Sequence, residues 1–317
     1  MEEKLKKNTL PFVSIVIPNY NGGPFLMNLI DSILHLEYPA DRYEVIIINN
    51  NSSDGSLEAL KSRYPSFIAD NKIKLIESTV NAGAPAAYNM GINKADKAYD
   101  YILKLDSDMV LTRDCLMELI KCGGSGPKIG FVGGKVFYYS DKTKLHLIGS
   151  RLSPFYSGGI GIGKCKSASS LYDKDREIDV VNGCMMLVKR AVIDEAGLMD
   201  ENYFLYFDDL DWTLRAMRKG YKSIYCSKAL AYHNTSEPYK RFQNKKWIHY
   251  AVYNGFYFMK KNYKGIDRAI FLISMHIRIL AYFYGIMRNN TFFKQIELVK
   301  ALALAYCGGL KYLWKRG

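Results

Sequence analysis

Mainly apolar segments alternate with amphipathic ones over the first hundred residues. The apolar segments predict four strands, at residues 12–17, 45–48, 72–76 and 101–105. Apolar residues at helical spacing predict helices that begin at Pro24, Leu57 and Pro85. Alternation of this kind predicts an α/β fold with an open, mostly parallel sheet.

Polar residues directly follow three of these predicted strands. Tyr20, Asn50 and Asp106 each stand just beyond the carboxyl end of a strand. Open α/β sheets bind ligands beyond the carboxyl ends of their strands. The sequence therefore predicts that one site collects these three residues.

The pattern changes in the middle of the chain. Residues 129–190 predict short strands and glycine turns. The glycine-rich run 157–163 lacks the Lys-Ser/Thr of a phosphate loop, so it predicts a mobile loop. Residues 208–219 predict a helix that Gly220 ends, and residues 229–232 predict a short strand before His233.

The last 80 residues predict helices with apolar faces. One face comprises Ile248, Ala251, Val252, Phe256 and Met259. Another comprises Ile296, Val299, Ala303, Tyr306, Cys307 and Leu310. We therefore expect two domains, an α/β domain over 1–237 and a helical region over 238–317.

The segment 269–287 is almost entirely apolar and has the length of a membrane span. His276 and Arg278 lie near its centre, where a charge in lipid is costly. Three arrangements stay open: a helix at the membrane interface, a helix packed against the body or a partner subunit of a homo-oligomer, and a true span.

Charge is concentrated in the helical region. The chain of 317 residues has a net charge of +13, and residues 238–317 hold 15 Lys and Arg against Asp267 and Glu297. The same region holds 18 of the 43 aromatic residues. Basic residues among aromatic and apolar helical faces indicate a membrane surface as partner. They do not form the single exposed stripe of a nucleic-acid-binding protein, which makes that function class the weaker interpretation.

Cysteine usage and the start of the chain bear on location. Six cysteines show no CxxC spacing, so zinc and disulfide frameworks are not expected. Residues 1–7 are too polar to begin a signal peptide, and no apolar segment follows them. We expect a cytoplasmic protein, peripherally associated with the inner face of the cell membrane.

Two acidic clusters carry the candidate chemistry. The first, Asp106-Ser107-Asp108, follows the strand 101–105, and the second, Asp208-Asp209-Leu210-Asp211, follows the apolar residues 203–207. Carboxylates that lie close together raise each other's pKa unless a bound cation or a catalytic role keeps them ionised. The first cluster suits a divalent cation with a diphosphate, and the second suits a general base. The alternative for both is capping of the helix that follows.

Other residues refine this hypothesis. Side chains two apart on a strand point to opposite faces, so Asp106 and Asp108 reach one ion only if a turn begins at Ser107. His233 can add a nitrogen ligand suited to Mg²⁺ or Mn²⁺, or it is an ordinary surface or core histidine. The small residues of 81–91 allow either close approach to a ligand or tight helix packing.

Taken in order, these motifs resemble glycosyltransferase family 2, the inverting enzymes with the GT-A fold. The resemblance runs from about Val13 to His233 and is nearest to rhamnosyltransferase-type members. Val13-Ser14-Ile15-Val16-Ile17-Pro18-Asn19-Tyr20-Asn21-Gly22 resembles the family's opening strand. By this resemblance Pro18 and Tyr20 line the nucleotide base, and Asn21 belongs to the same donor-binding segment.

Two further motifs extend the donor-binding set. Residues 49–56, with Asp54 in the Ser-x-Asp-Gly-Ser portion, resemble the family's Asp-rich loop, and Asn50 stands where Asp is usual. A base contact by Asn50 is therefore implied to be through its amide. Asn81 and Gly83, followed by Asn89, match the next motif of the family.

The acidic clusters acquire roles by the same resemblance. Asp106 is implied to contact ribose or metal, and Asp108 and His233 to bind the metal. Asp209 is implied to be the catalytic base, with Asp208 standing where the family has Glu.

The implied function is metal-dependent, inverting transfer of a sugar. The donor is a nucleotide-diphosphate sugar, the cofactor is Mn²⁺ or Mg²⁺, and the acceptor is a hydroxyl of a glycan or a polyprenyl-linked lipid. The alternative is a catalytically inactive GT-A module that binds a sugar nucleotide or glycan and regulates a partner. The asparagines at 49 and 50 are the feature that supports it.

Overall fold

The computed structural model describes residues 10–234 and 244–314, which divide into two compact units. The described parts of the first unit are 10–150, 161–201 and 212–234, and those of the second are 151–160, 202–211 and 244–314. The domain boundary predicted at 237/238 and the polar start at 1–7 lie outside the described residues.

Within the described residues, twelve strands form one large and one small sheet. They are β1 Val13–Asn19, β2 Tyr43–Asn49, β3 Ile73–Glu77, β4 Tyr101–Leu105, β5 Met109–Leu111, β6 Ile129–Tyr138, β7 Gly149–Ser153, β8 Gly158–Ile162, β9 Arg176–Ile178, β10 Val180–Val181, β11 Met185–Lys189 and β12 Lys222–His233. The large sheet has the order β3-β2-β1-β4-β11-β6-β12-β5, with β9 paired to β12, and the small sheet has the order β10-β7-β8. Strands β1 to β4 pair in parallel, as the sequence predicts, whereas β11 is antiparallel to both of its neighbours.

Ten α-helices accompany the strands in residues 10–234 and 244–314. They are α1 Gly23–Leu34, α2 Ser56–Arg63, α3 Pro65–Ala69, α4 Ala84–Lys94, α5 Cys115–Gly124, α6 Arg190–Ala196, α7 Asp208–Met217, α8 Lys245–Asn262, α9 Gly265–Asn289 and α10 Phe292–Trp314. Helices predicted from Pro24, Leu57 and Pro85 correspond to α1, α2 and α4, each shifted by one residue.

The large sheet is buried on both faces. Alternate residues of a strand point to opposite faces, and Ile15 and Ile17 join one core with α1 and α5 while Val16 joins another with α4. Helix α4 packs so closely that a Cβ at Gly91 would lie 2.3 Å from Cγ1 of Val16. For residues 81–91 the sequence allowed close approach to a ligand or tight helix packing, and Gly91 serves tight helix packing.

The strand register places the predicted site residues along one edge. Asn19 pairs with Asn49 at the ends of β1 and β2, and Val16 pairs with Lys104 in β4. The backbone amide of Asp106 donates a hydrogen bond to the carbonyl oxygen of Cys184, 3.0 Å away. Residues that follow β1, β2 and β4 thus emerge side by side.

One local prediction is wrong, and one predicted strand is longer than expected. The glycine-rich run 157–163, predicted to be a loop, contains strand β8, because backbone pairing in the small sheet outweighs the low strand propensity of glycine. The short strand predicted at 229–232 is the end of the twelve-residue strand β12.

The second unit contains α8, α9 and α10. The apolar face predicted for α8 is confirmed, since Ile248, Val252 and Phe256 are fully buried. Helix α10 approaches α8 closely, because a Cβ at Gly309 would lie 2.2 Å from Cδ2 of Phe256.

The face predicted for α10 is wrong. Leu298, Leu302, Ala305 and Gly309 of this helix are buried, whereas Ala303 and Cys307 of the predicted face are exposed. Helix α10 is apolar on most sides, so its sequence pattern does not determine which side is buried.

Candidate active site

Hydrogen bonds join the two loops that follow β1 and β2. The Asn19 side-chain amide donates to the hydroxyls of Ser52 and Ser56 at 3.1 and 2.9 Å. Asn21 adopts a positive φ of 56°, and its side-chain oxygen accepts from the Ser53 amide at 2.8 Å. Tyr20, between these two asparagines, is 47% exposed. Its ring is therefore accessible to a ligand at this edge.

Asp54 fixes the far end of the same pair of loops. One carboxylate oxygen accepts from the Gly23 amide at 2.8 Å, and the other accepts from the amide and hydroxyl of Ser56 at 3.1 and 2.6 Å. Burial opposes the charge, but these hydrogen bonds outweigh it and lower the pKa of Asp54. Asp54 is thus ionised and holds the two loops together. Pro18, within β1, is half-buried.

Asn50 connects this edge to the loop that precedes α4. Its side-chain oxygen accepts from the Ala82 amide at 3.0 Å, and its NH₂ group donates to Asn81 Oδ1 at 3.0 Å and to the Gly83 carbonyl at 3.3 Å. Asn81 Oδ1 also accepts from the Gly83 amide at 3.0 Å, so it must face Asn50 as an acceptor. The position therefore requires a donor, which a carboxylate at residue 50 lacks.

Asn89 lies on α4, and its side chain is buried against the segment 199–201. Its NH₂ group lies 2.9 Å from both the Met199 carbonyl and Glu201 Oε1, and its oxygen accepts from the Met199 amide at 3.1 Å. Asn89 thus holds the segment 199–201 against α4. Direct contacts of Asn50, Asn81 and Asn89 with a donor stay predictions.

A turn at Ser107 and Asp108 separates β4 from β5, as the metal hypothesis requires. Asp106 Oδ1 accepts from the Tyr88 hydroxyl at 2.9 Å, and the ammonium of the buried Lys104 lies 4.0 Å away from it. The Asp108 carbonyl accepts from the Asn234 amide at 2.9 Å. Both carboxylates are partly exposed and remain accessible to a ligand.

His233 ends β12 beside this turn, opposite Met109 of β5. Its Nε2 lies 2.9 Å from Asp108 Oδ1, and its side chain is only 9% exposed. Burial by itself lowers the pKa of His233, but neighbouring Cys184 and the hydrogen bond to Asp108 outweigh burial and hold the pKa well above its ordinary value. His233 is therefore protonated when Asp108 is its partner.

A second histidine orients the first. Asn182 Nδ2, which can only donate, lies 3.2 Å from His146 Nδ1, so this nitrogen is an acceptor. Burial and then the charge of His233 lower the pKa of His146 to about 3, so its ring is neutral. His233 Nδ1 lies 3.5 Å from His146 Nδ1 and carries the proton between them. Nε2 of His233 is then the nitrogen left to bind a metal.

The three residues fit a divalent cation. Ligand atoms of Asp106, Asp108 and His233 all lie within 4.8 Å of one another. Two carboxylates and one imidazole form a mixed oxygen and nitrogen set that suits Mn²⁺ or Mg²⁺. The structure brings the first acidic cluster and His233 together, and their metal-binding role stays a prediction.

In the second unit, a strained segment leads into the other acidic cluster. Phe204, Tyr206 and Phe207 have φ values of 55°, 66° and 69°, which are rare for bulky residues. Asp208 and Asp209 follow at once as the first residues of α7, where the helix dipole stabilises carboxylates. Backbone strain of this kind persists only where surrounding contacts hold it.

Asn254 on α8 supplies such contacts. Its Nδ2 lies 2.6, 2.7 and 3.2 Å from the carbonyl oxygens of Tyr203, Leu205 and Tyr206. The side chain is almost fully buried. Asn254 thus holds the turn that precedes Asp208 and Asp209.

The third carboxylate of the cluster is structural. Asp211 is fully buried, and it accepts from Lys261 Nζ and Asn262 Nδ2, both at 2.9 Å. These contacts join the first turn of α7 to the end of α8. Removing one partner of such a buried pair is strongly destabilising.

Sequence reasoning missed several residues that the structure adds to the site. They are Tyr88, Lys104, His146, Asn182, Cys184 and Asn254. A lone histidine such as His146 has no spacing signal in the sequence. Only the packing of distant segments identifies it.

Comparison with known proteins shows the family of this chain. The family model described as "Glycosyl transferase family 2" matches residues 14–197. The poly-beta-1,6-N-acetyl-D-glucosamine synthase of Staphylococcus epidermidis is 28% identical over 202 residues, which cover 64% of this chain and 45% of that protein. The chain therefore spans less than half the length of that relative. Glycosyltransferase AglE of Haloferax volcanii is 27% identical over 228 residues, covering 71% of this chain and 68% of that protein.

Two solved structures share the fold. The mannosyltransferase PcManGT from Pyrobaculum calidifontis, in complex with GDP-Man and Mn²⁺, aligns with a TM-score of 0.60 at 18% identity over 98% of this chain and 89% of that chain. GalNAc-T7 with UDP, GalNAc and Mn²⁺ aligns with a TM-score of 0.58 at 14% identity over 80% of this chain and 51% of that one. The predicted GT-A fold with a C-terminal helical region is confirmed, and the rhamnosyltransferase-like subtype stays a prediction.

Proposed function

The chain belongs to glycosyl transferase family 2, and on that premise we propose that it transfers a sugar from a nucleotide-diphosphate donor to an acceptor hydroxyl. The observation that carries the proposal is the meeting of Asp106, Asp108 and His233 within 4.8 Å, beside the carboxyl edge of the parallel strands. The solved structure of PcManGT, which contains GDP-Man and Mn²⁺, supports a donor of this class.

Residues of the first unit would bind the donor. Asp106, Asp108 and His233 would hold Mn²⁺ or Mg²⁺, which when bound neutralises charge on the diphosphate leaving group. Pro18, Tyr20 and the loops fixed by Asn21, Asn50 and Asp54 would receive the nucleotide. Gly83, held by Asn81, would let backbone approach the donor.

Asp209 would act as the catalytic base, with Asp208 beside it. It takes the proton of the acceptor hydroxyl as that oxygen attacks the anomeric carbon, while the bond from this carbon to the diphosphate oxygen breaks. A single displacement of this kind inverts the anomeric configuration. The support is the family resemblance of the motif and the held turn that precedes it.

The second unit offers a surface for a membrane. Residues Ile273, Ile277, Leu280 and Tyr284 follow one face of α9 and are each 63 to 67% exposed. Helix α9 is long and apolar enough to cross a membrane by length and composition, with a mean hydropathy of 1.7, which alone is weak support.

The polar residues of α9 favour a helix that lies on the membrane over one that spans it. The Ser274 hydroxyl lies 2.5 Å from that of Ser157, His276 Nε2 lies 2.8 Å from the Tyr306 hydroxyl, and Arg278 donates to the Tyr156 carbonyl. One face of α9 thus packs within its own unit while the opposite face is exposed. We therefore propose peripheral attachment to the inner face of the cell membrane, with a glycan or polyprenyl-linked acceptor.

The test uses the full chain with Mn²⁺ and a panel of nucleotide sugars. Release of nucleoside diphosphate in the presence of acceptor identifies the donor, and NMR of the product reports its anomeric configuration. Asp209→Asn should leave donor affinity unchanged and reduce transfer by at least about a hundredfold. Asp267→Asn, which removes an exposed carboxylate from the first turn of α9, is the matched control.

Three results would contradict the proposal. Tight donor binding without turnover on any acceptor would favour the inactive regulatory module. Full turnover of Asp209→Asn would remove Asp209 from the role of base. A product with retained configuration would exclude single displacement.

A further inference from the structure

A second cluster of potential metal ligands lies in the first unit, outside the motifs that carry the family resemblance. Cys122 near the end of α5, Asp175 just before β9 and Cys226 in β12 bring their ligand atoms within 4.8 Å of one another. The three segments are far apart in the chain, so only tertiary packing joins them.

The separation of the ligand atoms suits a tetrahedral metal. Cys122 Sγ lies 3.4 Å from Asp175 Oδ2. A tetrahedral zinc with Zn–S of about 2.3 Å and Zn–O of about 2.0 Å separates sulfur and oxygen by about 3.5 Å. The observed distance therefore requires almost no movement of these two side chains.

Asp175 is oriented by contacts behind it. Its Oδ1 accepts from both the amide and the hydroxyl of Ser227, each at 2.7 Å. This leaves Oδ2 directed at Cys122. Metal-ligating carboxylates are commonly fixed by such outer hydrogen bonds.

The cluster opens into a cavity. Cys226 is buried, Cys122 is half-buried and Asp175 is exposed. Cys122 and Asp175 line a cavity of about 460 Å³. Glu118 also lines this cavity, and its carboxylate pairs with Lys121 at 2.6 Å. A water molecule or the Glu118 carboxylate can supply a fourth ligand.

We propose that Cys122, Cys226 and Asp175 form a second metal site, which takes a thiolate-binding cation of the zinc class. Two sulfur ligands select such a cation over Mn²⁺ or Mg²⁺, which the oxygen-rich set of Asp106, Asp108 and His233 suits. The ion would tie α5 to β12. The sequence expectation of no zinc framework rested on local CxxC spacing, which this long-range site does not use.

The test titrates the full, reduced chain with Co²⁺, whose bond to thiolate produces a strong near-ultraviolet charge-transfer band. We expect a band that saturates at one Co²⁺ and that Zn²⁺ abolishes by displacement. Cys122→Ser should remove the band. Asp175→Asn, which can keep the Ser227 contacts, should weaken Co²⁺ binding by about tenfold.

A matched control separates this site from the first. Cys184→Ser, beside His233, should keep the band, because Cys184 belongs to the other cluster. As a second measurement, Zn²⁺ should raise the Tm of the native chain by more than it raises the Tm of Cys122→Ser, which keeps only the first site.

Three observations would overturn the proposal. They are a band that persists in Cys122→Ser, a band lost in Cys184→Ser, and a reduced native chain that shows no thiolate band with Co²⁺. None of these readouts depends on glycosyl transfer, so the metal site and the proposed function are tested separately.

Discussion

His233 and Asp108 are 125 residues apart in the chain, yet His233 Nε2 lies 2.9 Å from Asp108 Oδ1. Antiparallel pairing of β12 with β5 brings them together, because His233 stands opposite Met109. The contact keeps a proton on the nitrogen that a metal would use. Proton and metal therefore compete for one atom.

This competition predicts that Mn²⁺ affinity rises with pH. The pKa of His233 is raised above 6.5 in the metal-free chain, so below that raised pKa each Mn²⁺ must displace one proton. We expect affinity to fall about tenfold per pH unit below the pKa, measured by calorimetry in two buffers of different ionisation enthalpy. Asp108→Asn should weaken Mn²⁺ by at least about tenfold.

The exposed His35 provides the control. His35→Gln should leave both the affinity and the proton release unchanged. Mn²⁺ binding with no proton release at pH 6 would show that His233 is not the ligand.

A second prediction concerns the asparagine at residue 50. Asn50→Asp replaces the NH₂ group that donates to Asn81 and Gly83 with a carboxylate oxygen. That oxygen would face the side-chain oxygen of Asn81 and the carbonyl oxygen of Gly83 without a hydrogen between them. We expect the free energy of unfolding to fall by about 1–3 kcal/mol, measured by urea denaturation. Asn51→Asp, an exposed neighbour, should change it by less than about 0.5 kcal/mol. Equal effects of the two variants would show that the network does not determine residue 50.

A third prediction concerns the turn that precedes the proposed base. Asn254→Ala removes the donor that holds the carbonyls of Tyr203 and Leu205. We expect kcat to fall by about ten- to a hundredfold, because a small displacement of a reacting group is costly, with the donor KM changed less than threefold. A proportional loss of folded protein, with kcat per folded molecule unchanged, would limit Asn254 to stability.

The exposed face of α9 gives a fourth prediction. Replacing Ile273, Ile277 and Leu280 by serine should reduce binding to anionic vesicles by at least about tenfold, since each apolar side chain contributes about 1 kcal/mol at an interface. Vesicle sedimentation at two salt concentrations measures this binding, and higher salt should weaken the native chain too.

The control removes exposed apolar side chains elsewhere. Val80→Ser combined with Leu171→Ser, both exposed in the first unit, should leave vesicle binding intact. If the α9 variant binds vesicles as tightly as the native chain, this face is not the membrane surface.

The local pattern of apolar and polar residues was sufficient to predict many of the strands and helices of the first unit. Strands β1, β2 and β4 are short, mainly apolar segments buried on both faces, and such segments can be recognised without a structure. The turn at Ser107 followed from the alternation of side chains along a strand. Family motifs then supplied roles for residues such as Asp108 and His233.

The sequence pattern did not predict the structure where it left the buried side of a helix or the pairing of a strand undetermined. Helix α10 is apolar on most sides, so the buried position of Leu302 in place of Ala303 depends on its packing against α8. The glycines of β8 carry no strand propensity, and their pairing in the small sheet decides their structure.

The sequence by itself determined the α/β order of the elements, the family, and the acidic and histidine residues able to do the chemistry. Only the tertiary structure decided their partners: His146 beside His233, Asn254 beneath the turn at Tyr203, and Cys122 beside Cys226. The physical reason is the sequence distance over which each kind of interaction acts. Strand and helix periodicity act over a few residues, whereas a hydrogen bond or metal site joins whatever atoms the fold brings within a few ångströms.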